Sequence, residues 1–185
     1  KPTRIIAVLP TILSSNLLTV LDNSEAKRII LDSQGKASAV EITSADGSHH
    51  TLHADCKIIL SLGAFGTPLL LLRSGIGPDS AFTKSPSKQI LKLDAVGQNL
   101  MDHLQLPVIY QLKKSIPNPT LLTGNVAFLN LNNNGLGGAP DLQLNFTPAA
   151  PTPLQRFLPP LPSEVMIFLP ILVQPKSIGS LTLDG

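Results

Sequence analysis

Three groups of residues have the types and spacing that chemistry needs. Gly63, Ala64 and Gly66 follow an apolar run, Ile58 to Leu62, and precede Thr67-Pro68. Backbone with almost no side chain at the end of a strand lets a flat or phosphorylated ligand approach main-chain groups closely. Asp102-His103 sets a carboxylate beside an imidazole, a pairing that invites an acid–base reading. Adjacent residues on an extended segment point to opposite faces, so a direct Asp-to-His relay is not expected. Together with Asn99 the pair reads either as a polar constellation beside a ligand or as a loop-fixing element. His49 and His53 share a strand face with Thr51 and could be imagined as metal ligands, yet no carboxylate or cysteine stands at fitting spacing. A solvated strand face is the expectation there, with no metal.

The elements that must position these residues follow from the flanking pattern. Ile58, Ile59, Leu60 and Leu62 form a nearly continuous apolar run, the mark of a central parallel strand covered on both faces. Thr67 fits an N-cap and Pro68 the first helical position, with Leu69 to Leu72 supplying one to two core-facing turns. Gly75 and Gly77 are stop positions that tolerate positive φ before Pro78 ends the helix. Upstream, short strands are expected at Leu17–Leu21, Lys27–Leu31, Ala37–Ile42 and His49–Ala54, with turns at Ser33–Lys36 and Ala45–Ser48. Asp46-Gly47 is the stronger hairpin signal of the two turns. Downstream come a short polar helix (Asp79–Lys84) and a strand (Gln89–Leu93).

Composition shifts after residue 104. Twelve of the seventeen prolines lie between Pro107 and Pro175, which argues for short strands separated by irregular loops. Strands are expected at Leu104–Leu112, Asn125–Leu131, Asp141–Phe146, Val165–Val173 and Ser180–Leu183, mostly antiparallel. Asn132–Gly138 and Thr147–Pro162 read as surface loops or a lid. Asn145-Phe146-Thr147 fits a glycosylation acceptor, but it falls in an expected strand and precedes Pro148.

At 185 residues the chain can hold one ordinary domain or parts of two. An apolar fraction of 43%, a charged fraction of 14% and a formal charge of +2 without a basic cluster describe a core-rich chain and give no electrostatic case for nucleic acid. No apolar stretch approaches the roughly 18 residues that span a bilayer, and the amino terminus has no signal-peptide layout. The single cysteine, Cys56, cannot form an internal disulfide, and beside the apolar run it reads as a small buried hydrophobe.

GAFGTPLLLLRSGIGP, Gly63 to Pro78, resembles the second signature of the glucose-methanol-choline (GMC) oxidoreductases, with Gly63, Ala64, Thr67, Pro68, Leu70, Leu71, Ser74, Gly75, Ile76 and Gly77 all fitting it. VGQNLMDH, Val96 to His103, is similar to a further segment of that family and follows in the right order. PDLQLNFTPA and PKSIGSLTL, Pro140–Ala149 and Pro175–Leu183, have weaker counterparts in its substrate-binding region. LKLDAVGQNL is one residue shorter than the family's usual form, which bears on the path of that turn.

The resemblance implies α/β plus antiparallel β architecture: a partial Rossmann-like FAD-binding domain with a β-meander over residues 1–103, then part of an antiparallel-sheet substrate-binding domain over 104–185. It implies an FAD-dependent oxidoreductase acting on the CH–OH group of a small-molecule alcohol, sugar or choline-like donor, in which a histidine base takes the hydroxyl proton while hydride passes to the flavin. Cofactor contacts fall on Ala26 (a position whose backbone meets the adenine in the family, usually as Val), Gly63, Ala64, Asn99, Asp102 and His103. The family's GxGxxG phosphate loop and its catalytic histidine segment have no counterpart here, so the chain reads as a middle fragment with no catalytic residue of its own. Two alternatives stand beside this reading: an FAD-containing hydroxynitrile lyase of the same family, and a non-catalytic fragment that does not hold FAD alone. An isolated chain of this kind is expected to be marginal or aggregation-prone, because its central strand would lack parallel neighbours.

Overall fold

Alternating residues between two turn signals build the first sheet, and the computed structural model, which describes residues 17–83, 88–114, 126–131, 138–147, 160 and 165–183, places it as expected. β1 (Glu25–Leu31), β2 (Ala37–Thr43) and β3 (His49–His53) form an antiparallel meander in that order. Asp32 Oδ1 closes the first turn by accepting the Gln34 and Lys36 N–H groups, both at 2.9 Å. Asp46 closes the second by accepting the Ser48 N–H at 2.9 Å and its hydroxyl at 2.6 Å. Short Asx side chains favour such turns because they satisfy backbone donors locally. A register shift lies between Ala26 and Arg28, and the Arg28 guanidinium then donates to both Glu41 carboxylate oxygens across the ladder, at 3.0 and 2.7 Å.

The expected strand at Leu17–Leu21 does not form; its residues are exposed and carry no strand assignment. Ile58 to Leu62 likewise forms no strand among the described residues, with Ile59 84% exposed. A parallel strand is held by neighbours on both sides, and the described residues supply neither. Cys56, expected to be buried beside this run, is exposed for the same reason.

The helix, α1 (Gly63–Arg73), starts earlier than the Thr67-Pro68 signal predicts, so both residues lie inside it. Gly63, at φ +78, supplies the left-handed turn into the helix. Gly66 is needed because a Cβ there would stand 2.7 Å from Leu62 Cβ. Thr67 Oγ1 reaches back to accept the Leu62 N–H at 3.2 Å, and Pro68 forgoes its bond to the carbonyl four residues earlier. At the other end Ser74 N–H donates to the Leu70 and Leu71 carbonyls, both at 3.0 Å, and Gly75 N–H to Leu72 O at 2.9 Å. Gly75 takes φ +76. Gly77 does not: its reason is close packing, since a Cβ would stand 2.5 Å from Leu72 Cδ2. Leu70 and Leu72 are buried, as the core reading of this helix requires.

β4 (Ile76–Gly77) and β5 (Leu91–Lys92) pair in parallel, joined through a short 3-10 turn, Asp79–Phe82, where a longer polar helix was expected. Lys92 Nζ bonds Asp79 at 2.7 Å, and Gln89 donates to Gly77 O at 2.8 Å. Among the described residues, Ile29, Ala39, Ile42, Leu70, Leu72, Ile76 and Ala81 are the buried apolar residues of the first compact unit, Lys1–Gln98 with Ser180–Gly185.

The second unit, Asn99–Gly179, is an antiparallel sheet of β6 (Leu104–Gln105), β7 (Val108–Gln111), β8 (Val126–Leu129), β9 (Leu142–Thr147) and β10 (Val165–Leu172). β10 lies between β9 on one side and β6 with β7 on the other. The single strand expected over Leu104–Leu112 is broken in two although the register runs on, Phe168 opposite Val108 and Ile171 opposite Gln105. In that gap the register sets Pro170 opposite Leu106 and Pro107 opposite Leu169. Leu106 N–H still donates to Pro170 O at 3.1 Å, but Pro170 has no N–H to return. Val165, Ile167, Leu169 and Ile171 alternate along β10 as its buried face, with Ile109 packed on the first two. The opposite face carries Phe168 edge-on to Phe146 and Tyr110, at centroid distances of 4.9 and 5.4 Å.

Instead of the expected strand at Ser180–Leu183, an isolated bridge joins Leu100 to Gly179. The Asn132–Gly138 and Thr147–Pro162 connections lie outside the described residues except for Gly138, Thr147 and Pro160.

Candidate cofactor-binding site

In the first unit the candidate residues sit on two elements packed together, β1 and α1. Ala26 is half-buried, pairs with Ile42, and immediately precedes the register shift in β1. The Glu25 carboxylate pairs with Lys27 at 2.7 Å and with Arg73 at 3.5 Å; the Lys27 hydrogen bond, then its charge, holds that carboxyl below its ordinary range. The Arg73 contact sets the start of β1 beside the last turn of α1. Gly63 and Ala64 are at the opposite end of this 11-residue helix, about 15 Å away at 1.5 Å per residue.

That end is open. Gly63 and Ala64 are exposed, and a Cβ added to Gly63 would meet nothing within 4 Å. Leu62 at the N-cap makes no side-chain cap bond and no acidic residue stands in the first turn, so among the described residues the donors and the positive end of the helix dipole are left open. Bare backbone with uncapped donors fits a ligand that is flat and carries acceptors, as the FAD of the resemblance does. Ala26 fits if only its backbone is used.

Asn99, Asp102 and His103 belong to the second unit and are exposed. Asn99 takes φ +58, a conformation that Asn tolerates better than most residues. Asp102 Oδ1 accepts the backbone N–H of His103 at 2.8 Å, so the carboxylate shapes the loop locally and the pair makes no ring-to-carboxylate relay. Upstream of them Gly97, at φ +75, has Leu181 O within 2.5 Å of any Cβ, and its carbonyl accepts the Leu181 N–H at 2.7 Å.

Every residue of β3 is exposed. His49 Nδ1 lies 3.0 Å from Thr43 Oγ1 and His50 Nε2 2.9 Å from Ser48 Oγ, and among the described residues no group of three His, Cys, Asp or Glu could hold a metal ion. An open concavity of 410 Å³ lies against this hairpin, lined by Lys27, Glu41, Ile42, His49, His50 and Thr51. Asn145 and Thr147 are inside β9; Asn145 Oδ1 accepts from Gln143 at 2.8 Å and Thr147 is 3% exposed, so the tripeptide is not presented as a glycosylation acceptor. No helix among the described residues is long and apolar enough to cross a membrane.

One residue escaped the sequence reading. Ser74, inside the matched motif, looks like an ordinary polar cap, yet it is 1% exposed and bonded to β1. The available signal was its place between a leucine run and the Gly75-Ile76-Gly77 stop, where a solvated serine is out of keeping.

Solved structures of oxidases share this architecture. A pyridoxine 4-oxidase from Mesorbium loti matches 88% of the chain and 31% of its own, with TM-score 0.74 and 25% identity. A formate oxidase matches 88% and 37%, with TM-score 0.71 and 26% identity. The fold thus defines a partial FAD-binding oxidoreductase framework, mixed sheet and meander in one unit and antiparallel sheet in the other. The family model described as GMC oxidoreductase matches residues 4–105, and the chain belongs to that family, whose cofactor is FAD. A glucose-methanol-choline family oxidoreductase, mfmG, of Annulohypoxylon moriforme is 40% identical over 101 residues, covering 55% of this chain. An oxygen-dependent choline dehydrogenase of Burkholderia cenocepacia is 31% identical over 156 residues, covering 72%. The chain spans 16% and 27% of those two relatives' own lengths.

Proposed function

We propose that this chain is the cofactor-bracing and sheet-forming segment of an FAD-dependent oxidoreductase that acts on the CH–OH group of a small-molecule donor, an alcohol, a sugar or a choline-like compound. The observation that carries the reading is the open start of α1: an exposed Gly63-Ala64 backbone with uncapped N–H groups, inside the stretch that matches the family. FAD, when bound, supplies the hydride acceptor. The chain's own residues bind and orient. Ala26 presents strand backbone at one end of α1, and Gly63 and Ala64 present helix-start backbone at the other. Asn99, Asp102 and His103 supply a shaped polar loop in the second unit, with residues 1–103 serving the cofactor and 104–185 the substrate.

None of the four histidines occupies the family's proton-accepting place, so this chain on its own is inactive. Choline, pyridoxine and formate, the compounds for which these relatives are named, share no skeleton, which leaves donor choice to residues outside the common framework. The test is spectroscopic. Full-length protein, purified and freed of small molecules, is expected to show visible flavin absorbance that bleaches anaerobically with its alcohol donor. Colourless protein that takes up no FAD overturns the reading; a flavin spectrum that no CH–OH donor bleaches overturns its redox part.

A further inference from the structure

Ser74 is the buried polar side chain of the first unit among the described residues, and its hydroxyl is used twice. It accepts the Ile29 N–H at 2.8 Å and donates to the Leu70 carbonyl at 2.6 Å. Among the described residues β1 is the outer strand of its sheet, so one of its edges has backbone groups without a ladder there. On that edge Ser74 takes the place of a neighbouring strand. The same hydroxyl is anchored in the last turn of α1, so it fixes helix to strand in direction as well as in distance. The Arg73–Glu25 link between these elements is weaker in that respect, an exposed 3.5 Å ion pair.

We propose that Ser74 is a positioning residue for FAD, holding the strand that carries Ala26 at a set distance from the helix that carries Gly63 and Ala64. This rests on the FAD reading above. A ligand long enough to touch both places pays for any slack between them, whereas a ligand that touches only the adenine end does not. The geometry therefore predicts a difference between FAD and ADP that plain loss of stability would not produce.

The experiment compares full-length protein with its Ser74→Ala and Ser74→Cys variants, each stripped of flavin and titrated with FAD and with ADP. Ser74→Ala is expected to weaken FAD about tenfold or more while ADP changes less than about twofold. Ser74→Cys, close in volume but a weaker donor, is expected to move FAD in the same direction by a smaller factor and to keep ADP. Unchanged FAD affinity in either variant overturns the positioning role, as does an equal loss of FAD and ADP, which marks a purely structural hydroxyl. If the alanine variant does not fold, the FAD-to-ADP ratio of the cysteine variant decides. Unsubstituted protein that binds ADP but not FAD overturns the cofactor reading itself, and the positioning role falls with it.

Discussion

Replacing Gly75 by alanine tests the account of how α1 ends, and Gly63→Ala is its matched control on the same helix. Both glycines hold nearly the same left-handed backbone, φ +76 and +78. Forcing an L-residue there costs about 1–2 kcal/mol, offset by about 0.4–1 kcal/mol from the narrower unfolded ensemble. At Gly63 a Cβ meets nothing within 4 Å, so the conformational term stands alone, a net loss of about 1 kcal/mol. At Gly75 the Cβ would stand 2.6 Å from Lys88 O and 2.9 Å from Ile90 Cγ1. One of those atoms is backbone and cannot rotate away, and overpacking of this kind adds about 1–3 kcal/mol. The total for Gly75→Ala is about 2–4 kcal/mol.

Urea midpoints at unchanged slope measure both losses. A local readout accompanies them, because Gly75 O accepts the Ile90 and Leu91 N–H groups at 2.7 and 3.1 Å; displacing Lys88 and Ile90 should speed amide exchange at both. A Gly75→Ala loss no larger than that of Gly63→Ala, or unaltered protection at Ile90 and Leu91, would refute the packing argument.

Three further outcomes are expected. Gly63→Ala should weaken FAD at least about tenfold while ADP-free stability falls by the small amount above; unchanged FAD affinity would mean that no cofactor approaches that backbone. Ile167, 0% exposed in β10, should lose about 2–5 kcal/mol on truncation to alanine and about 0.5–1.5 kcal/mol to valine, read from denaturation midpoints that report the second unit. The hydrogen bond from Arg28, and its charge, hold the Glu41 carboxyl below its usual range. A depressed folded-state pKa contributes stability that is present above the unfolded value and lost as pH falls through the folded one. The stability difference between the unsubstituted protein and Glu41→Gln should therefore be seen at neutral pH and vanish in acid; a difference that grows on acidification contradicts the pairing.

The hairpins, the helix and the family were legible in the residues because each is encoded locally. Asp32 and Asp46 close turns with groups two to four residues away, and the Gly63–Pro78 and Val96–His103 motifs are contiguous. Thr67 has the chemistry of an N-cap, yet the helix starts at Gly63, where a left-handed φ makes the turn and Gly66 leaves room beside Leu62. Gly75 and Gly77 look alike in the chain, yet one answers to φ and the other to Leu72.

What tertiary structure alone decided involves partners far apart in the chain. The apolar character of Ile58–Leu62 is written in the residues, but a strand exists only where another backbone accepts its hydrogen bonds. The break between β6 and β7 depends on Pro170 facing Leu106, a meeting that no pattern within Leu104–Leu112 encodes. Ser74 gained its role from Ile29, 45 residues earlier. By itself the sequence determined the family, the cofactor it uses and the local turns; the fold decided which backbone edges are satisfied and which stay open, because hydrogen-bond satisfaction and close packing are properties of neighbours in space.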